Sequence, residues 1–190
     1  FMLGYELELL RLDNLSRIFA TAFLIAALLA NIYAWHEPDR VQRTAAQVYA
    51  GSAVAAALAG DLVTLFVFWE LTAVSSVFLV WASGTENAYR SGMRYLLIQV
   101  GSGVILLTGL IVHVTATGSI SFDHLGLEAP GAWLIFLAFG IKCAFPLLHN
   151  WLQDAYSEAT VTGTVVLSVF TTKLAVYTLA RGFAGTEMLI

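Results

Sequence analysis

Phe68 to Trp81 reads FWELTAVSSVFLVW. The stretch has the apolarity of a membrane helix, and one residue, Glu70, is out of place in it. A carboxylate in hydrocarbon costs about 2.5–3.5 kcal/mol on insertion scales. Either something compensates for Glu70, or the run is not a membrane span, or the residue marks a site.

Composition decides the second alternative. Of 190 residues, 59% are hydrophobic and 12% charged, against about 25% charged in a typical soluble domain. Mean hydropathy is +0.80. The chain is therefore an integral membrane protein, with the lipid bilayer as its first partner. A net charge of −4 does not point to nucleic acid. The single cysteine, Cys143, excludes a disulfide framework and a cysteine-only metal cluster, and its apolar surroundings suit a small core residue. The first residues carry Glu6, Glu8, Arg11 and Asp13, unlike a signal peptide. The chain reads as one transmembrane domain over residues 1–190 and as part of something longer.

A span needs about 20 mostly apolar residues. Working outward from Glu70, the run from Thr44 to Ala82 is too long for one helix, and Gly60-Asp61 is its natural turn. This gives helices over Thr44–Ala59 and Leu62–Ala82. In the first, Gly51, Ser52 and several alanines suit close helix packing. Before them lies a span at Ser16–Trp35. After the polar loop Ser83–Gly92 come spans at Met93–Thr117, Gly131–Leu152 (interrupted by Pro146) and Thr160–Arg181. Only helices satisfy their own backbone in lipid. The expected fold is an all-α, polytopic transmembrane bundle of about six spans with one broken helix. Arg40, Arg43, Arg90 and Arg94 fall on one side and Arg11, Arg17 and Arg181 on the other, which makes the first side cytoplasmic.

Three charges then lie inside spans: Glu70, Lys142 and Lys173. At about 1.5 Å per residue, each is some 12–20 Å from a helix end, so all three can share the midplane zone. The plain alternative is an ion pair that only holds helices together. Three such groups in so few spans favour a proton or ion path. Burial disfavours a charged lysine and a nearby carboxylate favours it. Moving Glu70 relative to Lys142 would then load and unload a proton. Pro146, four residues after Lys142, removes a helix hydrogen bond. Irregular backbone at depth is tolerated within protein or beside water, and a broken helix next to a buried lysine is the pattern of a translocation site.

GDLVTLFVFWELTAVSSVFLVW (Gly60–Trp81) and GIKCAFPLLHNWLQDAYSEATVTGTVVLSVFTTKLAVYTLAR (Gly140–Arg181) together resemble the antiporter-like membrane subunits. That family is shared by Mrp-type sodium/proton antiporters and the proton-pumping arm of respiratory complex I. The resemblance rests on three motifs: glutamate in W-E, lysine before P-L-x-H-x-W-L, and lysine in T-K-x-x-x-Y. It is nearest to the D-type Mrp subunit, with the complex I subunits as the near alternative. By position it makes Glu70 the family's fifth-helix glutamate, Lys142 its broken seventh-helix lysine and Lys173 its eighth-helix lysine. It makes His149 a proton relay, the other reading being an interfacial histidine. Leu147, Gln153, Tyr156 and Thr160 depart from the family's usual P-L-H-x-W-L-P-x-A-H-x-x-A-P pattern. The resemblance also implies a second inverted repeat that this sequence does not contain, so this half is not expected to move ions alone.

The remaining polar residues read more plainly. His113 sits near a span end, His36 and His124 lie in loops, and Asp61 and Asp154 serve equally as turn caps or as cation collectors. Ser75, Ser76, Thr171 and Thr172 can bond across helices or order water near Glu70 and Lys173. Tyr95, Tyr156, Tyr177, Trp35, Trp81, Trp133 and Trp151 read as an interfacial belt. No metal cluster, nucleotide loop or nucleophile triad appears, so no cofactor is expected. The functional expectation is an ion-translocating subunit of a multisubunit sodium/proton antiporter in a bacterial inner membrane. Glu70 and Lys142 are paired at rest, Lys173 and His149 carry the proton onward, and other membrane subunits are its partners. The alternative is a proton-pumping subunit of an NADH:quinone oxidoreductase or related hydrogenase, with its redox centres on other chains.

Overall fold

The computed structural model describes residues 5–185. Among the described residues, seven α-helices run in order: α1 (Asn14–Tyr33), α2 (Arg40–Leu58), α3 (Leu62–Trp81), α4 (Glu86–Thr117), α5 (Ala132–Lys142), α6 (Asn150–Glu158) and α7 (Val161–Phe183), with a 3-10 turn at Ala34–His36. Most begin at a side-chain cap that satisfies amide groups the helix itself cannot. Asp13 and Ser16 form a reciprocal capping box on α1. Asp39 accepts from the Val41 amide, Asp61 from the Thr64 amide at 2.7 Å, Thr85 from Ala88 and Thr160 from Gly163. Asp61 is thus a cap, as one of its two sequence readings has it.

Two boundaries move outward from the hydropathy reading. The second helix starts at Arg40 rather than Thr44, because Asp39 caps it ahead of the apolar run. The fourth starts at Glu86 rather than Met93, absorbing most of the expected loop. Thr85 caps it, and Glu86 forms an i,i+4 pair with Arg90. Apolarity marks the part of a helix that meets lipid, not the part that is helical.

Among the described residues, four helices have the length and apolarity to cross a membrane: α1 with its 3-10 turn, α3, α4 and α7. The expected second span, α2, has the length but carries Arg40, Gln42, Arg43 and Gln47. The expected fifth span is divided. The first part, α5, has 11 residues, about 16 Å or half of the hydrocarbon core, and ends at Lys142. Residues 143–149 are irregular, with Ala144 and Leu147 at φ 61° and 71°, before α6 begins.

The centre of the bundle is α3, packed against α2, α4, α6 and α7. Tyr49, Trp69, Tyr95, Phe139, Phe170 and Tyr177 fill the interior. The outermost helix, α1, turns Ile18, Leu24, Ile25, Leu28 and Leu29 outward, as a lipid-facing helix does. At one end the α2–α3 turn is held from both sides. The Gly60 amide donates to Glu8, the Leu62 amide to Ile120 and the Phe122 amide to Gly60.

The aromatic belt is smaller than expected. Trp35 and Trp133 are exposed, whereas Tyr95, Tyr177 and Trp151 are buried. Buried hydroxyls and the indole N–H need partners, and each finds one. Tyr95 bonds Ser76, Tyr177 accepts from Arg181 and Trp151 donates to the Ile141 carbonyl beside the helix break.

Candidate functional site

Lys142 is the last residue of α5 and has no exposed surface. Its ammonium donates to the Trp69 carbonyl at 2.7 Å and to the Thr72 hydroxyl at 2.9 Å. It sits 4.2 Å from the centre of the Trp69 ring, a cation–π contact. Ending α5 at this point puts a cationic side chain at a helix C-terminus, where the helix dipole favours it. The charge is therefore held by a carbonyl, a hydroxyl and an indole face.

Glu70 is on α3 between those two partners in sequence, and it is half-buried. No ion pair within 4.0 Å joins it to Lys142 among the described residues, which corrects the expected resting pair. Helix geometry is the reason. Residues 69 and 72 share a face three residues apart, whereas residue 70 is turned about 100° from residue 69. Trp69 and Thr72 meet α5, while the Glu70 carboxylate lies against Gly103 on α4, where any Cβ would overlap it. Glycine at 103 is what admits the carboxylate.

Four buried side-chain atoms lack a hydrogen-bond partner among the described residues: Trp69 Nε1, Glu70 Oε1 and both Gln99 Nε2 and Oε1. All belong to α3 and α4, and Trp69 is itself a partner of Lys142. Buried polar groups are almost always paired, so this concentration sets the region apart from the rest of the bundle.

The other expected site residues lie elsewhere. Lys173 is on the exposed face of α7, its ammonium on the Ser168 carbonyl at 2.6 Å. His149 is half-buried at the N-cap of α6, just past the break. The structure brings neither to Lys142 by a hydrogen bond. Asp154 meets Arg94 at 3.4 Å, and His113 Nδ1 lies 3.2 Å from the Pro130 carbonyl. Sequence reasoning missed Trp69, Thr72 and Gln99. Gln99, an amide in LLIQVGSG, was the readable signal among them.

The family model described as "NADH:quinone oxidoreductase/Mrp antiporter, TM" matches residues 59–188, more than half of the chain and all of the Glu70–Lys142 region. The chain belongs to this family. NADH-quinone oxidoreductase subunit M of Pseudomonas aeruginosa is 27% identical to it, over 94% of this chain and 39% of that protein. This family member thus spans about two fifths of the length of that curated relative. Solved structures that share its fold include the following two. The Mrp complex from a Dietzia species matches with a TM-score of 0.80 at 23% identity, over 92% of this chain and 36% of that one. Respiratory complex I from Thermus thermophilus matches with a TM-score of 0.81 at 18% identity, over 94% and 42%. The all-helical membrane fold with its broken helix is that of the antiporter-like subunits.

Proposed function

We propose that this chain is a proton-translocating membrane subunit of a larger assembly, with Lys142 as the group that loads and releases the proton. The observation that carries this reading is the Lys142 ammonium, wholly buried at the end of a half-length helix and held by neutral partners beside Glu70. A charge in that position is poorly solvated. Its proton affinity therefore depends on how near the Glu70 carboxylate stands. In the resting arrangement Glu70 is turned toward Gly103. A small rotation of α3, or a change of side-chain rotamer, brings it toward or away from Lys142 and shifts the proton balance. Lys173 and His149 are proposed as onward carriers in the assembled protein.

The name of the Pseudomonas relative, a subunit of an NADH-quinone oxidoreductase, supports a redox reaction as the driver; the location proposed with it is a bacterial inner membrane. Sodium/proton antiport is the second reading, favoured by the Mrp part of the family description. Inverted vesicles holding the complete assembly and an internal pH dye separate the two. NADH-driven acidification lost in both Glu70→Ala and Lys142→Ala supports redox-driven pumping. A sodium-triggered response lost in both makes the driver a cation gradient. Transport left intact in Lys142→Ala overturns the reading.

A further inference from the structure

The Glu70 carboxylate of α3 occupies the space that a side chain at Gly103 of α4 would fill. It is held there by room rather than by bonds, since its buried Oε1 has no hydrogen-bond partner among the described residues. Leaving this notch therefore breaks no bond to Oε1, and an unpaired buried oxygen is costly to keep. An opposite charge is close by. The Lys142 ammonium donates at 2.7 Å to the carbonyl of the peptide that joins Trp69 to Glu70. By standard bond lengths the ammonium is within about 7 Å of the Glu70 Cα. The glutamate side chain itself spans most of that distance, so a change of rotamer is enough to bring the two together.

The helices around the notch are pinned to one another. Next to Gly103, the Ser102 hydroxyl bonds the Ala138 carbonyl of α5 at 3.0 Å. Further along, a Cβ at Gly109 of α4, or at Gly131 where α5 begins, would overlap the facing segment. Helix α3 is tied to α4 by Ser76 on Tyr95 at 2.7 Å. It is tied to α5 by the two bonds to Lys142 and by the Trp69 ring on Phe139, with centroids 5.1 Å apart. Turning α3 to carry Glu70 toward Lys142 disturbs these contacts, whereas a swing of the Glu70 side chain disturbs none of them. Among the described residues, Lys142 is the one charge that acts on Glu70, and Glu70 the one that acts on Lys142. The ionic groups of α2, α4 and α6 lie at helix ends or in ion pairs. Lys173 of α7 is exposed and bonded to its own helix. The buried Tyr95 and Tyr49 are bonded to Ser76 and Thr171.

Resting on the proton-site reading and deepening it, we propose that Gly103 is a positioning residue whose missing side chain is the notch that holds Glu70 apart from Lys142. The pair is switched by a swing of the Glu70 side chain between this notch and the ammonium, while α3, α4 and α5 keep their places. With Glu70 in the notch, Lys142 has a carbonyl, a hydroxyl and an indole face as its partners. With Glu70 swung across, it gains a counter-charge. The switch is conformational, and no bond is made or broken in it.

The test uses the complete assembly in vesicles, with assembly content quantified for each variant and two readouts. The first is proton transport across a range of pH. Gly103→Ala fills the notch, and the rate per assembly is expected to fall about tenfold or more. Its half-maximal pH is expected to move upward, because a carboxylate kept near a lysine favours the charged form. Gly101→Ala is expected to change neither. The second readout is direct coupling of Glu70 to Lys142 by an apolar carbodiimide, which joins a carboxyl to an amine only where they touch, followed by mass spectrometry of the joined peptides. In wild type the yield is expected to be low at rest and to rise when the assembly is driven. In Gly103→Ala it is expected to be high at rest. A slow Gly103→Ala with an unchanged pH profile and a wild-type yield assigns Gly103 to packing and overturns the proposal. A wild-type yield that does not change on driving overturns the swing even where Gly103→Ala fails to assemble. Wild-type transport in Gly103→Ala, with Lys142→Ala inactive, overturns the notch and leaves the proton site standing. An active Lys142→Ala removes the site and the switch together.

Discussion

At the residue scale, the site depends on side chains that do not themselves carry charge. Gly103 leaves no room for a Cβ beside the Glu70 carboxylate, whereas Gly101 has nothing within 4 Å of the place its Cβ would occupy. Gly103→Ala is therefore expected to lower stability by about 1–3 kcal/mol, the usual range for overpacking, and to displace Glu70. Gly101→Ala, two residues away on the same helix, is expected to be neutral or slightly stabilising. Thermal unfolding of both variants in detergent checks this, and equal shifts in the two would contradict it. Thr72 gives a second case. Thr72→Val leaves one donor of the Lys142 ammonium without its acceptor, at a cost of about 1–3 kcal/mol. Thr72→Ser keeps the acceptor and is expected to recover most of that loss in the same assay.

At the scale of elements, the break between α5 and α6 decides where Lys142 ends up. Pro146 announces a break in the sequence, but the turn itself is made by Ala144 and Leu147 in the left-handed region. A side chain there costs of order 1–2 kcal/mol, and a β-branched one costs more. Ala144→Gly is expected to be tolerated or stabilising, and Ala144→Val to destabilise clearly; a melting series of the two against wild type decides. The same segment shows what the sequence could and could not reveal. Lys142 and Pro146 were legible because a charge and a proline both stand out in an apolar run. That the helix stops at Lys142 was not, since Ala144 and Leu147 carry no sign of positive φ. The capped starts of α2 and α4 were missed because hydropathy reports lipid contact, while Asp39 and Thr85 act through single hydrogen bonds. Glu70 and Lys142 stand out in the sequence as charges within apolar runs, but their arrangement in the folded chain does not. Which face of α3 meets α4 and which meets α5 is set by tertiary packing, and α3 is apolar around most of its circumference.

At the scale of the molecule, polar contacts at one end join segments far apart in the chain. Arg181, buried near the end of α7, donates to the Asp13 carboxylate at 2.6 Å and to the Tyr177 hydroxyl. Arg11 reaches the Phe122 carbonyl and the Asp123 carboxylate in the α4–α5 loop. The start of α1, the α4–α5 loop and the end of α7 are thereby joined, closing the bundle on the side away from the α1–α2 loop. Asp13 lies outside the span. Partial burial pushes its carboxyl pKa up, but the Ser16 amide and the Arg181 guanidinium together outweigh this, and the net shift is downward. A carboxylate with a depressed folded-state pKa adds stability that is complete above its unfolded value, about 3.9. That stability is lost as pH falls through the lower folded value. The Asp13→Asn variant should thus melt below wild type at neutral pH, and the gap should narrow as pH drops below about 4. A gap that stays constant down to strongly acidic pH would mean that the Asp13 charge contributes nothing and that only the capping geometry matters. Salt gives an independent check. Asp13 is about one third exposed, whereas Arg181 is almost wholly buried, so moderate salt should weaken this contact less than the exposed Glu86–Arg90 pair.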